Sequence, residues 1–436
     1  MKGEESSAAR TPWQKLSACV VIGLLAAGCG GSNNSTETNN DDAAHDDAAH
    51  IESAGRLAIT QAELAGVHVI DLDGHQSLAT VATNFVPSVL YASPSRRYAV
   101  AIQRNDDLVQ FIDGGLWQED HVDHLHDYEA DPALAALQVN GIRPTHYEVF
   151  DDVAALFMDG NAETSQNAAV VSVTDASIES GQTLATLALP MQMHGTAEPR
   201  GQYLLSTWRA PTSVNTLPEM VELYRRDEAG YAFVERFETS CPLLHGSFSN
   251  ERYSAFGCGD GVLVIEQNGD TFSSFKIANP VGMPEGDRIG TVLGHHELTS
   301  FIGLAGAGGV YEIDPVAGTL TMIDWSADRT HVAQTFDHEA ANFLVLDDLG
   351  MLHVLDARNG WASRGAVAVT GSVSEDHPNA SLDAHPAAAQ VFVTDPQGQR
   401  IVVVDTESVA VSDQIPLAFV PGAVRWLGIA ESHGHD

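Results

Sequence analysis

Short apolar runs recur in pairs along this chain, and that repeat leaves few folds open to it. The pairs are residues 57–59 with 67–71, 98–103 with 108–113, 154–159 with 168–173, and 202–206 with 220–224. They continue as 254–257 with 261–266, 300–305 with 309–314, 342–347 with 351–356, and 390–395 with 401–405. Gly, Asp, Asn and Pro bound the runs, as expected of brief strands separated by turns. The first runs start about 40–55 residues apart, a spacing that suits repeated multi-stranded units. Several second runs end in an aliphatic residue and Asp, as at Ile112-Asp113, Ile313-Asp314 and Val404-Asp405.

A further short segment precedes each pair but the first, and an eighth follows the last pair. These begin at Val86-Pro87-Ser88-Val89, Arg143-Pro144-Thr145-His146, Met191-Gln192-Met193-His194 and Pro242-Leu243-Leu244-His245. The others are Leu293-Gly294-His295-His296, Thr335-Phe336-Asp337-His338, Leu382-Asp383-Ala384-His385 and Val420-Pro421-Gly422-Ala423. Read as the starts of innermost strands, they make the chain all-β: a single propeller with eight blades, seven being the alternative count. The first outer pair has no inner strand ahead of it, and the last inner strand has no outer pair behind it. Together they complete one blade and close the ring, which removes the exposed sheet edges that invite aggregation.

The ends do not belong to that pattern. Lys2, Arg10 and Lys15 precede a short apolar run ending in Leu25-Ala26-Ala27-Gly28-Cys29, which resembles a bacterial lipobox. Residues 1–28 are expected to be a lipoprotein signal peptide, with Cys29 as the lipid anchor. Gly30 in place of Asp favours the outer over the inner membrane, so the expected location is the periplasm, membrane-attached through the lipid alone. Residues 29–54 are polar and carry two copies of Asp-Asp-Ala-Ala-His, ending at His45 and His50. They are expected to be a disordered tether. The propeller is expected over 55–430, with a short tail, 431–436, containing His433 and His435. The formal net charge of −38, with three lysines in all, excludes a phosphate-binding, nucleic-acid partner. It suits divalent cations or a basic partner, and equally a saline habitat.

Cys241 and Cys258 are expected to pair in an oxidising compartment, because they are equally distant from a hairpin turn near Ser249-Asn250. Six of the eight inner segments carry histidine. If all lie at strand starts, they form one ring at one mouth of the channel. His146, His194 and His245 are the candidate ligands there, and neutral imidazole suits zinc. A second candidate is the dense run Glu119-Asp120-His121-Val122-Asp123-His124-Leu125-His126-Asp127, expected as a loop after an outermost strand at 116–119. Its His121, His124, His126, Asp123 and Asp127 offer the nitrogen and oxygen donors zinc accepts. Strand direction read this way sets the loop on the same face as the ring.

Four stretches resemble the AztD-type periplasmic zinc metallochaperones that accompany zinc ABC importers. They are Phe111-Ile112-Asp113-Gly114-Gly115-Leu116-Trp117, the run from Asp120-His121 to His126-Asp127-Tyr128, Arg143-Pro144-Thr145-His146, and Cys241-Pro242-Leu243-Leu244-His245-Gly246. The resemblance implies a non-enzymatic propeller that binds zinc and hands it to a zinc solute-binding protein. The lipid anchor and acidic tail depart from that pattern. Competing readings are a metal-dependent, lactonase-like hydrolase, for which Glu148 or Asp337 could serve as base, and a surface interaction module with structural histidines. No nucleophile elbow, phosphate loop or HExxH helix supports the enzyme.

Overall fold

The computed structural model describes residues 50–121, 124–326, 328–374 and 376–430. The expected signal peptide, residues 1–28, and Cys29, His45, Asp123, His433 and His435 lie outside the described residues.

The strands form eight four-stranded antiparallel blades. Seven are built from consecutive segments. In the remaining one, Arg56–Gln61, Gly66–Asp71 and Ser77–Ala82 are joined by the C-terminal strand Pro421–Leu427. Arg56 opposes Leu427 and Ile59 opposes Val424, so the two ends of the chain close the ring as expected. The third and fourth blades also touch at their outer edges through one parallel bridge, Thr186 with Gly230.

The apolar core is divided among the blade interfaces. Each of the eight gaps between neighbours is filled by its own hydrophobic cluster. The reason lies in the middle strands, which are buried on both faces. Along Asn342–Asp347, Phe343 and Val345 pack toward the sixth blade, while Leu344 and Leu346 pack toward the eighth. The two-residue period of a strand thus divides one short apolar run between two interfaces. This explains why such runs read as nearly continuous rather than alternating.

The innermost strands line the channel. In ring order they are Pro421–Leu427, Val89–Ala92, Pro144–Phe150, Ala197–Arg200, Ser247–Ser249, Ile289–Leu293, His331–Phe336 and Leu382–Ala384. All run in one direction, from an entry face to an exit face. A cavity of about 510 Å³ occupies the channel, lined mainly by the second, third, fifth and sixth blades with Asp383 and Arg425 opposite.

Two expectations about the second blade need correction. Leu116–Asp120 is not its outermost strand; Ala133–Asn140 is. Leu116–Asp120 instead pairs with Leu125–Glu129 as an inserted hairpin between the third and fourth strands. That insertion point is at the exit face, because the third strand, Leu108–Asp113, ends there. Arg56, at the exit end of its own strand, clamps the base of the hairpin. Its guanidinium donates to Gly114 O at 2.5 Å and Ala130 O at 2.7 Å, and pairs with Glu129 at 2.8 Å.

Cys241 and Cys258 form a disulfide, although not as directly opposed strand residues. Ser247 opposes Phe256 and Ser249 opposes Ser254, so by register it is position 245 that faces Cys258. Cys241 comes within reach because the chain leaves the strand path, with positive φ at Leu243 and Gly246. Thiol labelling of the denatured, unreduced protein should find neither cysteine free; reaction at both positions would refute the pairing.

Candidate metal centre

The expected ring of six histidines divides between the two faces. His146 lies near the start of Pro144–Phe150, while His194 and His245 immediately precede Ala197–Arg200 and Ser247–Ser249. These three share the entry face. His295, His296, His338 and His385 follow the ends of their inner strands and so lie at the exit face. His295 Nδ1 accepts from Glu297 N at 3.2 Å and His385 Nδ1 from Ala387 N at 3.0 Å, local bonds of a structural kind. Asp337 is likewise structural: its carboxylate accepts from Asn342 N, Asn342 Nδ2 and Thr406 Oγ1.

At the entry face, local backbone features aim the three rings together. A register irregularity between Pro144 and His146 turns His146 within its strand. His194 N–H donates to Thr216 O, and His245 N–H to Gly257 O, each at 3.0 Å. Gly246 allows a close approach to the next blade. A Cβ there would meet Gly290 O at 2.8 Å and Thr291 Cα at 2.9 Å, and its φ of +73° also disfavours a side chain. The ring centroids lie 5.0 to 5.5 Å apart. One nitrogen from each of His146, His194 and His245 falls within 4.8 Å of the others.

The tautomers follow from the partners. His194 Nδ1–H donates to Asp159 Oδ2 at 2.9 Å, and His245 Nδ1–H donates to Gly290 O at 2.6 Å. Both rings are therefore left with a lone pair on Nε2. Those two Nε2 atoms face each other at 3.0 Å. Two lone pairs at that distance repel unless a proton or cation lies between them. Asp159 is buried and also pairs with Arg104 at 2.8 Å, while Arg104 Nε donates to Thr145 Oγ1. This is the oriented outer partner that metal-bound imidazoles usually have. Replacing Asp159 by Asn should weaken metal affinity by about 10–100-fold, measured by chelator competition; unchanged affinity would remove Asp159 from the site.

Burial, reinforced by His194 and His245, pushes His146 down to about 3. Burial also lowers His245, against the opposing bond to Gly290 O. Both are neutral near pH 7, the form a metal needs. In the unfolded chain a histidine titrates near 6.5, so between about 6.5 and 3 the unfolded state binds more protons. The metal-free protein should therefore lose stability as pH falls through that window. Thermal unfolding from pH 7 to 4 should show a shallower decline for His146→Gln than for the natural chain; parallel declines would count against this account.

The inserted hairpin brings together the other predicted group in part. His121, His124 and His126 have ring centroids 5.4 to 6.4 Å apart. Tyr128 O–H lies 3.1 Å from His121 Nε2, and His126 Nδ1 is buried without a hydrogen-bond partner. Asp127 does not join them. Strand alternation turns it to the opposite face, where it accepts from Gln118 at 2.7 Å, Ile51 N at 2.9 Å and His50 at 3.0 Å. The cluster and the triad also do not share a face, because the hairpin springs from the exit end. A six-residue strand separates the faces by about 20 Å.

No family model matches the chain. A search of curated proteins finds the zinc chaperone AztD of Citrobacter koseri, 28% identical over 399 residues, spanning 88% of this chain and 90% of the relative. Two solved structures of Citrobacter koseri AztD, one of them the apo protein, superpose with TM-scores of 0.73 and 0.74, at 23% and 24% identity. They span 85% and 87% of this chain and 97% and 99% of theirs. The chain resembles AztD along most of its length. A more distant likeness, to a dihydro-heme d1 dehydrogenase, NirN, has a TM-score of 0.56 at 12% identity and bears on the fold alone. The structural likeness to AztD spans the propeller, and the relative is named a chaperone rather than an enzyme.

Sequence reasoning missed Asp159, Arg104 and the Gly290 carbonyl. Asp159 closed one of the apolar runs and looked like a strand terminator, and a main-chain carbonyl leaves no trace in a sequence.

Proposed function

We propose that this protein is a zinc-binding metallochaperone that holds zinc at His146, His194 and His245 and passes it to the solute-binding protein of a zinc ABC importer. The observation that carries the reading is the pair of Nε2 lone pairs facing each other at 3.0 Å, each fixed by a bond on the opposite nitrogen. A zinc ion, bound to imidazole nitrogen at about 2.0–2.1 Å, would relieve that repulsion and take His146 as a third ligand. A fourth position would face the channel cavity, which His146 and His245 also line. An open position is what transfer requires, because an incoming ligand can attach before the old ones leave. The similarity to the Citrobacter koseri zinc chaperone supports the zinc assignment and the chaperone role.

His121, His124 and His126 form the second, partly exposed station in this reading. Asp120 and Asp123 raise the local cation concentration. With Cys29 carrying lipid, the protein would work at the periplasmic face of the outer membrane, within reach of its tether.

The test is zinc transfer from the loaded protein to a metal-free zinc solute-binding protein, with free zinc suppressed by chelator. Transfer faster than spontaneous dissociation supports the proposal; transfer no faster than dissociation rejects the chaperone role while leaving zinc binding intact. Replacing His121, His124 and His126 by alanine should slow transfer without unfolding the ring, since the hairpin lies outside the blades. Replacing Cys29 by serine should release the protein from membranes; continued membrane association would argue against a lipid anchor.

A further inference from the structure

The inserted hairpin carries its chemistry on one face. Trp117 opposes Tyr128 and Glu119 opposes His126, so strand alternation places Trp117, Glu119 and His121 on the same side as His124, His126 and Tyr128. The ring contacts follow that alternation. Trp117 stacks on Tyr128 with centroids 5.2 Å apart, and His126 lies 4.5 Å from Tyr128. Glu119 accepts from Trp117 Nε1 at 2.9 Å and lies 3.6 Å from His121 Nε2. The three imidazoles alone fall short of a ligand set. Among the described residues, the one group that brings three donor atoms within 4.8 Å is the entry-face triad. Zinc usually takes four ligands, and His126 Nδ1 is still without a hydrogen-bond partner.

The strand that closes the ring delivers the chain to this face. Leu427 packs on the base of the hairpin, where a Cβ on Gly114 would meet its Cδ1 at 2.9 Å. Gly428 N–H donates to Arg96 O at 3.1 Å and Gly114 N–H to Arg97 O at 2.8 Å, so both segments hang on the same turn. Gly428, Ile429 and Ala430 then line a cavity of about 410 Å³ together with Arg97, Trp117 and Glu119. After Ala430 the sequence continues Glu431-Ser432-His433-Gly434-His435-Asp436. An extended chain covers about 3.3–3.6 Å per residue, which gives His433 and His435 a reach of roughly 10 and 17 Å from Ala430. On the hairpin, Glu119 and His121 are two residues, or about 6–7 Å, apart. Histidines two positions apart share a side of an extended segment, so both can turn to one ion. The segment before the ring approaches from elsewhere: His50 and Ile51 N bind Asp127, on the opposite face of the hairpin.

We infer that His433 and His435 reach across this cavity to His121, His124 and His126 and complete the hairpin station for a zinc ion. The hairpin is taken here as a zinc station, as proposed above; its ligands then come from two segments more than 300 residues apart.

Zinc is the probe, with the second equivalent measured by chelator competition in the full chain. H433A/H435A should weaken that equivalent at least about tenfold and leave the first, at the triad, unchanged. In a chain already lacking His121, His124 and His126, the same two changes should have no further effect, because the ligands belong to one site. Equal affinity for the second equivalent in H433A/H435A and the natural chain would overturn the inference. So would a loss as large without the hairpin histidines as with them, which would make the segment an independent zinc trap. A natural chain with a single tight equivalent would overturn it too, with the triad left standing. Failure of the chaperone reading is separate, since it shows in the transfer assay rather than in these titrations.

Discussion

Replacing His146, His194 and His245 together by alanine should weaken tight zinc binding by at least about a thousandfold. The size of the effect follows from the count of ligands: among the described residues, these three histidines form the one metal-compatible group of His, Cys, Asp or Glu within 4.8 Å. The variant should keep its fold, because the three rings lie at the channel mouth rather than in the interblade clusters. Near-ultraviolet circular dichroism would confirm this. Competition with a chelator of known affinity gives the loss directly. The opposite outcome, a triple variant that keeps its tight equivalent while the hairpin variant loses it, would move the principal site to the exit face.

The second large effect concerns the disulfide. Substituting serine at Cys241 and Cys258 should lower stability by about 3 kcal/mol, by analogy with other loops of this length. The sequence separation is 17 residues. The cross-link also pins the segment that delivers His245, since residues 241–246 leave the regular strand path. Zinc affinity should therefore fall together with the denaturation midpoint, although neither sulfur touches the site. Equilibrium urea unfolding measures the first change and chelator competition the second. A stability loss with unaltered zinc affinity would show that backbone bonds, such as His245 N–H to Gly257 O at 3.0 Å, suffice to place the ring.

The repeat was legible in the sequence because the middle strands are apolar along their whole length and end in turn residues. The innermost strands were harder to read. They face a wet channel, and Ser247–Ser249 and Leu382–Ala384 have only three residues each. With so little apolar period to set their ends, a histidine just before a strand looks like one just after it. That is why His295, His338 and His385 appeared to belong with His146, His194 and His245. The hairpin misled for a related reason. Leu116–Asp120 follows Leu108–Asp113 closely enough to pass for the next strand of the blade, and only pairing shows that Ala133–Asn140 holds that place.

The way the ring closes has a consequence for biogenesis. Trp426 Nε1 donates to Ala54 O across 372 residues, and the first blade lacks its inner strand until Pro421–Leu427 is present. A nascent chain can assemble its middle blades in order, but its first three strands wait with one bare edge. Contacts this distant in sequence are formed late and slowly. The lipid proposed at Cys29 would hold that waiting edge at a membrane surface, away from other nascent copies with which it could pair. Completion of folding would then double as a quality check on the C-terminus, since a chain truncated before residue 421 could never present a closed channel.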